Sequence, residues 1–300
     1  MSNRLLIVFV RQMLYNITML LGFKTELKIN KVQRLMLAKH AGVARHAWNQ
    51  GLALCQQVSA HNRANPDDKI KFPSSIELHK WLVASIKPEN PWYYEVSKCS
   101  PQYALRHLSD AFKSFFKKVK GFPKFKKKGR NDSFTLDGSI HVDHKRIKVP
   151  VIGWLKTFER LPQGVKPTAV TISRQADRWF ISFKIDVPIE QTPKVCDIVG
   201  VDLGIKALAT LSTGVVFDGA KSYRQAERRL KRLQRNLSRK VKGSANWNKA
   251  VLLVAKAHRR VANIRKDVLH KVTTYLSKNH AVIGIEDLNV SGMMEGSLFG

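Results

Sequence analysis

The chain has 300 residues, and 53 Lys or Arg against 22 Asp or Glu give it a formal net charge of +31 at pH 7. With 44% hydrophobic residues it can still bury a core, which excludes a disordered basic tail. An excess this large is more than solubility needs and points to a polyanionic partner. The three cysteines, Cys55, Cys99 and Cys196, form no C-x-x-C pair, which excludes a zinc ribbon and fits a reducing compartment. The apolar run from Arg4 to Val10 is interrupted by Arg11 and has no cleavage pattern, so neither export nor membrane insertion is expected. Residues 1–18 read as an extension before the first folded segment.

Residues 20–29 mix apolar and polar positions in a short β-like pattern bounded by Asn30, which predicts an opening strand. From Lys31 the period changes. Val32, Leu35, Met36, Val43, Ala47, Trp48, Leu52 and Cys55 recur at helical spacing and predict a long amphipathic helix over most of 31–58. A polar stretch at 61–75 breaks it, and a shorter helix covers about 76–86. Ser100-Pro101 then offers an N-cap with proline at the first helical position, and Leu105, Leu108, Phe112, Phe115 and Val119 form the core face of the helix that follows.

Lys117–Arg130, KKVKGFPKFKKKGR, holds eight Lys or Arg and no acid. Gly121 and Pro123 forbid a continuous helix, so the segment reads as an extended arm able to follow a phosphate backbone. Its cations are Lys117, Lys118, Lys120, Lys124, Lys126, Lys127, Lys128 and Arg130, with Phe122 and Phe125 available to stack on bases or pack beneath. From Ser133 the pattern becomes β. Trp179, Ile181, Phe183, Ile185 and Val187 alternate with their neighbours, Gln175-Ala176-Asp177 makes a hairpin turn, and strands near 134–140, 145–150 and 152–160 complete an antiparallel sheet or small barrel. His141-Val142-Asp143-His144 reads as a solvated turn between two of these strands. Residues 188–195 read as a linker, and a new domain begins at about Cys196.

Asp197–Gly204, DIVGVDLG, is an apolar strand carrying Asp202, followed by two further short strands in a meander. An unpaired ionised acid costs several kcal/mol to bury, so Asp202 needs a partner, and a divalent cation is a natural one. Ala281–Leu288, AVIGIEDL, repeats the pattern and ends in Glu286-Asp287. Acids at the ends of two buried strands supply the hard oxygen ligands of a Mg²⁺ site on an α/β sheet, although each acid alone reads equally as a salt-bridged structural carboxylate. Between them, Lys221–Lys242 holds ten Lys or Arg against the single acid Glu227. Ala226, Leu230, Leu233 and Leu237 keep helical spacing there, giving a basic amphipathic helix that offers Arg228, Arg229, Arg232 and Arg235 to nucleic acid. A second helix, about 247–278, adds Arg259 and Arg260. The order β-β-β, helices, β is the opening of the ribonuclease H fold.

Taken together, GFKTELKINKVQRLMLAKHAGVARHAWNQGL at 22–52, GFPKFKKK at 121–128, VGVDLGIKALATLSTG at 199–214, and RKDVLHKVTTYL with IGIEDLNVSGM within 265–293 resemble the insertion-sequence-encoded TnpB, or OrfB-type, transposase family. The resemblance covers nearly all of 19–294. It implies an α+β, multidomain chain. A wedge-like antiparallel β domain (19–30 and 131–190) would carry a helical recognition insertion (31–130), and a RuvC-like domain of ribonuclease H fold would occupy 196–300 after a linker at 191–195. It also implies an RNA-guided DNA endonuclease tied to transposition and DNA recombination. Its partners would be a guide RNA from the transposon end and a target DNA, and its location the prokaryotic cytoplasm, at the nucleoid. By the family's pattern Asp202 and Glu286 are catalytic acids holding two Mg²⁺ ions.

The family continues past the second acid with a C-x-x-C…C-x-x-C zinc element and a third catalytic Asp. This sequence has no Cys after Cys196 and no Asp after Asp287. The expectation is therefore a C-terminally truncated copy with an incomplete RuvC-like domain, no zinc site and deficient cleavage. Asp287 faces away from Glu286 on a strand, and Asp218 is a weak substitute. Three readings stay open: a Mg²⁺-dependent RNA-guided endonuclease, a non-cleaving nucleic-acid-binding protein of the same descent, and a decayed transposase fragment.

Overall fold

Asn30 sets the point at which extended chain gives way to helix. Its side chain accepts the Gln33 N–H at 2.8 Å, while the Gln33 side chain accepts the Asn30 N–H at 3.1 Å, a reciprocal cap. Before it runs β1 (Thr18–Lys28) and after it α1 (Lys31–Ala64), 34 residues without a break. The computed structural model describes residues 18–188, 196–204 and 207–285, and the chain divides into two compact units, 1–189 and 190–300. The expected extension falls, up to residue 17, outside the described residues, as do 189–195 of the expected linker.

Helix α1 outruns its predicted end because nothing between 58 and 64 opposes it. It stops where Asn65 donates both its backbone N–H (2.8 Å) and its side-chain amide (3.1 Å) to the His61 carbonyl. Next come α2 (Ser75–Trp81), whose Ser74 and Glu77 form a second reciprocal cap, and α3 (Cys99–Phe116). The predicted Ser100 cap is displaced. Ser97 Oγ accepts the Cys99 N–H at 3.3 Å, and Ser100 and Pro101 lie buried inside the first turn, where proline's missing N–H leaves no helical bond unmade. Val119, expected on the core face, lies beyond the helix end and is 72% exposed.

Helices α1 and α3 meet at Gly51. A Cβ there would stand 2.6 Å from Leu105 Cδ2 and 3.0 Å from Leu108 Cδ2, which explains a glycine in mid-helix despite its cost of about 1 kcal/mol. Strands β2 (Ser133–Asp137), β3 (His141–Asp143), β4 (Arg146–Val149), β5 (Gly153–Thr157), β6 (Ala169–Gln175) and β7 (Arg178–Pro188) join β1 in an antiparallel sheet of order β2-β6-β7-β1-β5-β4-β3. The β6–β7 hairpin turns at Ala176, whose φ is 56°. His141–Asp143, expected as a turn, is itself a strand paired with β4. Leu37, Leu52, Leu105 and Phe112 from the helices and Leu136, Ile172, Trp179 and Ile181 from the sheet share one buried cluster, so the helices pack on the sheet.

In the second unit β8 (Cys196–Asp202), β9 (Ala207–Leu211) and β10 (Val216–Asp218) form the expected meander. Helices α4 (Lys221–Ser238) and α5 (Ala245–Asn279) follow, and β11 (His280–Ile285) returns parallel to β8 in the order β10-β9-β8-β11. A parallel return needs a long crossover, and the two helices supply it. Its apolar packing is divided. Val199, Val201, Ala209 and Leu211 meet Val272 and Leu276 of α5, while Ala226 and Leu230 of α4 meet Val254 and Val261 of α5. No helix among the described residues is long and apolar enough to cross a membrane.

Candidate metal centre and nucleic-acid interface

Alternation along β8 sorts its side chains by face. Val199 and Val201 are buried on the side that α5 covers, so Ile198, Gly200 and Asp202 project from the other side. Asp202 is the last residue of β8, opposite Thr210 of β9, and it is exposed. The expectation of a carboxylate buried within an apolar strand is therefore corrected: a strand end reaches solvent, and no desolvation forces a partner on this acid. Asp202 has no side-chain hydrogen bond or ion pair among the described residues. An exposed, uncommitted carboxylate on a rigid strand end fits a hard divalent cation.

β11 runs beside β8 with Val282 opposite Ile198, Gly284 opposite Gly200 and Ile285 opposite Val201. That final described pair lies one residue before Asp202 on one strand and one residue before Glu286 in the sequence. Glu286 and Asp287 lie outside the described residues, and among the described residues no three His, Cys, Asp or Glu side chains cluster as a metal site. Asp218 ends β10, which β9 separates from β8, a lateral gap of about 10 Å by ordinary strand spacing. It lines a cavity of about 640 Å³ with Tyr223, Arg224 and Arg265 instead. Asp218 is thus no substitute ligand beside Asp202.

The basic segment begins as the cap of α3. Lys117 and Lys118 donate their N–H groups to the Lys113 and Phe115 carbonyls at 3.1 and 2.8 Å, and those of Val119 and Lys120 converge on Ser114 at 3.0 and 3.3 Å. Lys118 takes a left-handed φ of 58° to do so. Lys117, Lys118 and Lys120 therefore place their charge at the negative end of a helix dipole as well as at the surface. Phe122 packs edge-on against Phe112 and Phe115, at 5.4 and 5.2 Å between ring centroids, while Phe125 is exposed.

Beyond Phe122 the segment lies along α1. Trp48 Nε1–H donates to the Lys124 carbonyl at 3.1 Å. The Asn49 amide donates to the Lys126 carbonyl at 3.0 Å and accepts the Lys126 N–H at 2.8 Å. Lys126 Nζ sits 4.0 Å from the centre of the Trp48 ring, and burial pulls its pKa below the ordinary lysine value. The segment's far end is tied by Asp132, which accepts the Gly129 N–H and pairs with Arg45 at 3.0 Å and Arg174 at 4.0 Å. Lys124, Lys127, Lys128 and Arg130 remain exposed; Lys126, expected among the phosphate contacts, is turned inward onto Trp48.

In the second unit the arginines fall as the helical pattern requires. Leu233 and Leu237 extend the apolar face of α4 toward α5, and Arg228, Arg229, Arg232 and Arg235 are exposed on the rest of its surface. On α5, Arg260 is exposed and Arg259 half-buried. Arg265 lies over the Tyr223 ring at 4.6 Å and donates to the Tyr223 hydroxyl, which ties the two helices together. Sequence reading missed Trp48, Asn49, Arg45 and Asp132. In a linear pattern, a Trp-Asn pair at the edge of an apolar helical stripe carries no mark of the backbone it will hold 76 residues away.

Comparison with known proteins gives these residues a setting. The family model OrfB_IS605, described as "Probable transposase", matches residues 180–296, and a model described as "Helix-turn-helix domain" matches 19–64. Residues 19–64 here are a strand and one unbroken helix, without the two-helix geometry of that description. "Putative RNA-guided DNA endonuclease InsQ" of Escherichia coli (strain K12) is 38% identical over 282 residues, 92% of this chain and 68% of that protein. A protein of the same descriptive name from Streptomyces pristinaespiralis is 38% identical over 74% of this chain and 56% of its own length. The chain thus spans between about half and two thirds of these relatives. A solved structure titled "Cryo-EM structure of CRISPR-Cas12f Ternary Complex" aligns over 96% of this chain and 67% of its own, with 10% identity and a TM-score of 0.33, a likeness too slight to fix a fold.

Proposed function

The chain belongs to the OrfB transposase family of IS605 type, the TnpB family, and from that premise we propose that it works as an RNA-guided, metal-dependent DNA endonuclease of RuvC-like fold, with a transposon-end RNA as guide. The observation that carries the chemical part is the parallel β8–β11 pair. Its register runs to Ile285 and Val201, and Asp202 and Glu286 are the residues that follow these two in the sequence, which supports reading the two acids as partners at one metal site. In this reading Asp202 and Glu286 hold Mg²⁺ through carboxylate oxygens. The bound ion supplies Lewis-acid stabilisation of charge on a phosphodiester oxygen and a more acidic water. Asp202 contributes a fixed, solvent-facing oxygen ligand at a strand end, and β8 contributes rigidity through Val199 and Val201 packed against α5. Lys124, Lys127, Lys128 and Arg130 in the first unit, with Arg228, Arg229, Arg232, Arg235 and Arg260 in the second, meet the sugar-phosphate backbone. Base pairing by the guide carries sequence recognition, which suits a chain whose 19–64 region has no helix-turn-helix geometry to read bases in a major groove.

The test is cleavage of guide-matched DNA by the purified chain co-expressed with its transposon-end RNA, in Mg²⁺, beside Asp202→Ala. The expected result is cleavage in the parent and none in the variant, with RNA affinity and thermal stability unchanged. Salt-sensitive RNA binding without cleavage in the parent would replace the nuclease reading with the binding-only one, and loss of RNA binding as well would overturn both.

A further inference from the structure

We infer that Trp48 and Asn49 are positioning residues that fix the basic segment 121–130 in the shape in which it meets a polynucleotide phosphate backbone, and that Lys126 belongs to this clamp and not to the charges that touch phosphate. The inference rests on the reading of the segment as a nucleic-acid contact.

Trp48 and Asn49 lie three and four positions after Arg45, so each neighbours it on the surface of α1. Each holds a different part of the same segment. Asn49 spends both atoms of its amide on one residue, accepting the N–H and donating to the C=O of Lys126, as a neighbouring strand would. Trp48 donates to the Lys124 carbonyl two residues upstream and offers its ring to the Lys126 ammonium. Arg45 holds Asp132, whose carboxylate takes the Gly129 N–H at 3.3 and 3.2 Å. With Phe122 packed on Phe112 and Phe115, the segment is fixed near 122, 124–126 and 129–132 although it contains no helix or strand.

The consequence is one of entropy and of direction. A free Lys-rich loop must surrender its conformational freedom when it binds, whereas here that freedom is already lost on folding. With the Lys126 backbone held by Asn49 and its side chain by Trp48, the exposed cations Lys124, Lys127 and Lys128 are presented outward from a fixed base. Lys126 itself, turned onto an aromatic face, releases no counterion when a phosphate arrives.

These roles separate in the salt dependence of binding, because the slope of log affinity against log salt counts phosphate contacts while preorganisation changes affinity at constant slope. The full chain is titrated against a labelled single-stranded RNA and, separately, a labelled DNA duplex over a range of KCl concentrations; the probe that shows the effects identifies the strand. Joint replacement Lys124→Gln, Lys127→Gln and Lys128→Gln is expected to reduce the slope by about 2–3. Asn49→Ala and Trp48→Phe, which keeps a smaller aromatic face for Lys126 and loses the indole N–H, are each expected to weaken binding about five- to tenfold with the slope unchanged. Lys126→Met, which keeps the packed stem, is expected to leave the slope as in the parent. Amide exchange at residues 124–130 should quicken in Asn49→Ala at a temperature where circular dichroism shows the chain folded.

If the triple replacement leaves the slope unchanged, the nucleic-acid reading of the segment falls, and the clamp falls with it. If the triple replacement lowers the slope while Asn49→Ala and Trp48→Phe bind like the parent, or weaken only in step with a loss of folded protein, the clamp alone is overturned. A slope lowered by Lys126→Met would return Lys126 to the phosphate contacts.

Discussion

In the first unit the cations of 121–130 stand on irregular backbone that a helix and a carboxylate hold in place; in the second, the arginines of α4 stand on regular helix that needs only an apolar stripe to orient it. The same difference runs through the cores. Helices and sheet of the first unit share one buried cluster, whereas α5 of the second divides its apolar face between the meander and α4. A strongly positive surface is thus built in two ways: by tertiary contacts that pin a loop, and by helical periodicity alone. The first kind depends on distant residues and fails when one of them is lost; the second degrades one side chain at a time.

The largest expected effect comes from testing the cores. Leu105 is fully buried against Gly51 at the α1–α3 crossing, so Leu105→Ala leaves a cavity in a continuous core and is expected to cost about 3–5 kcal/mol. Leu276 packs in a small cluster with more room to relax, and Leu276→Ala is expected to cost about 2 kcal/mol. Denaturant unfolding followed by circular dichroism measures both. Equal costs would erase the contrast.

How far the sequence could be read follows the same division. The second unit was legible almost strand by strand. Meander, basic helix, long helix and returning strand each declare themselves by local period, and Ala226, Leu230, Leu233 and Leu237 already name the face that packs. The long helix and the β6–β7 hairpin of the first unit were equally plain. What escaped was non-local. Nothing around residue 48 or 49 announces a partner at 124–126, and nothing in KFKKK marks Lys126 as the one lysine facing an indole. Asp202 looked buried because its run is apolar, but burial within a strand depends on where the strand ends, which the meander's register fixes and the run does not.

The helical half of the comparison sharpens with Arg228→Gln, Arg229→Gln and Arg232→Gln made together. All three are exposed on α4, so their loss is expected to lower the salt slope of RNA or DNA binding by about 2–3 without altering helix content. No single substitution among the apolar residues beneath them should reproduce the clamp phenotype of weakened binding at constant slope. A variant such as Leu233→Ala that did so would show that the arginines also depend on a tertiary support.

Acid sensitivity of the first unit comes next. His40 is fully buried, with Nδ1 2.8 Å from the Met36 carbonyl and Nε2 3.1 Å from the Ser97 N–H. Only the neutral ring with its proton on Nδ1 satisfies both, and burial holds the pKa below the ordinary 6.5. His46, His79 and His107 are lowered in the same direction, each chiefly by burial. As pH falls below about 6.5 the unfolded chain takes up protons that the folded first unit refuses, so stability declines toward acid, by at most about 1.4 kcal/mol per pH unit for each histidine. Unfolding free energy measured from pH 7.5 to 5 should show that slope, and His40→Gln should make it shallower, leaving the share of the other three histidines. An unchanged slope in the variant would remove His40 from the account.

The smallest effect expected is at Glu227, the single acid of the 221–242 run, whose carboxylate lies 3.4 Å from Lys231 one turn on. An exposed i,i+4 pair of this kind contributes about 0.3–0.5 kcal/mol, so Glu227→Gln should scarcely move the unfolding midpoint. Its effect on binding has the opposite sign. Removing the one negative charge from a helix that carries Arg228, Arg229, Arg232 and Arg235 on its exposed surface raises the local potential and frees Lys231, so RNA or DNA affinity at low salt should rise by about twofold and return to the parent value as salt screens the field. A gain that persisted at high salt would mean that Glu227 shapes a direct contact, and the regular helix would then share the dependence on individual residues that marks the clamped segment of the first unit.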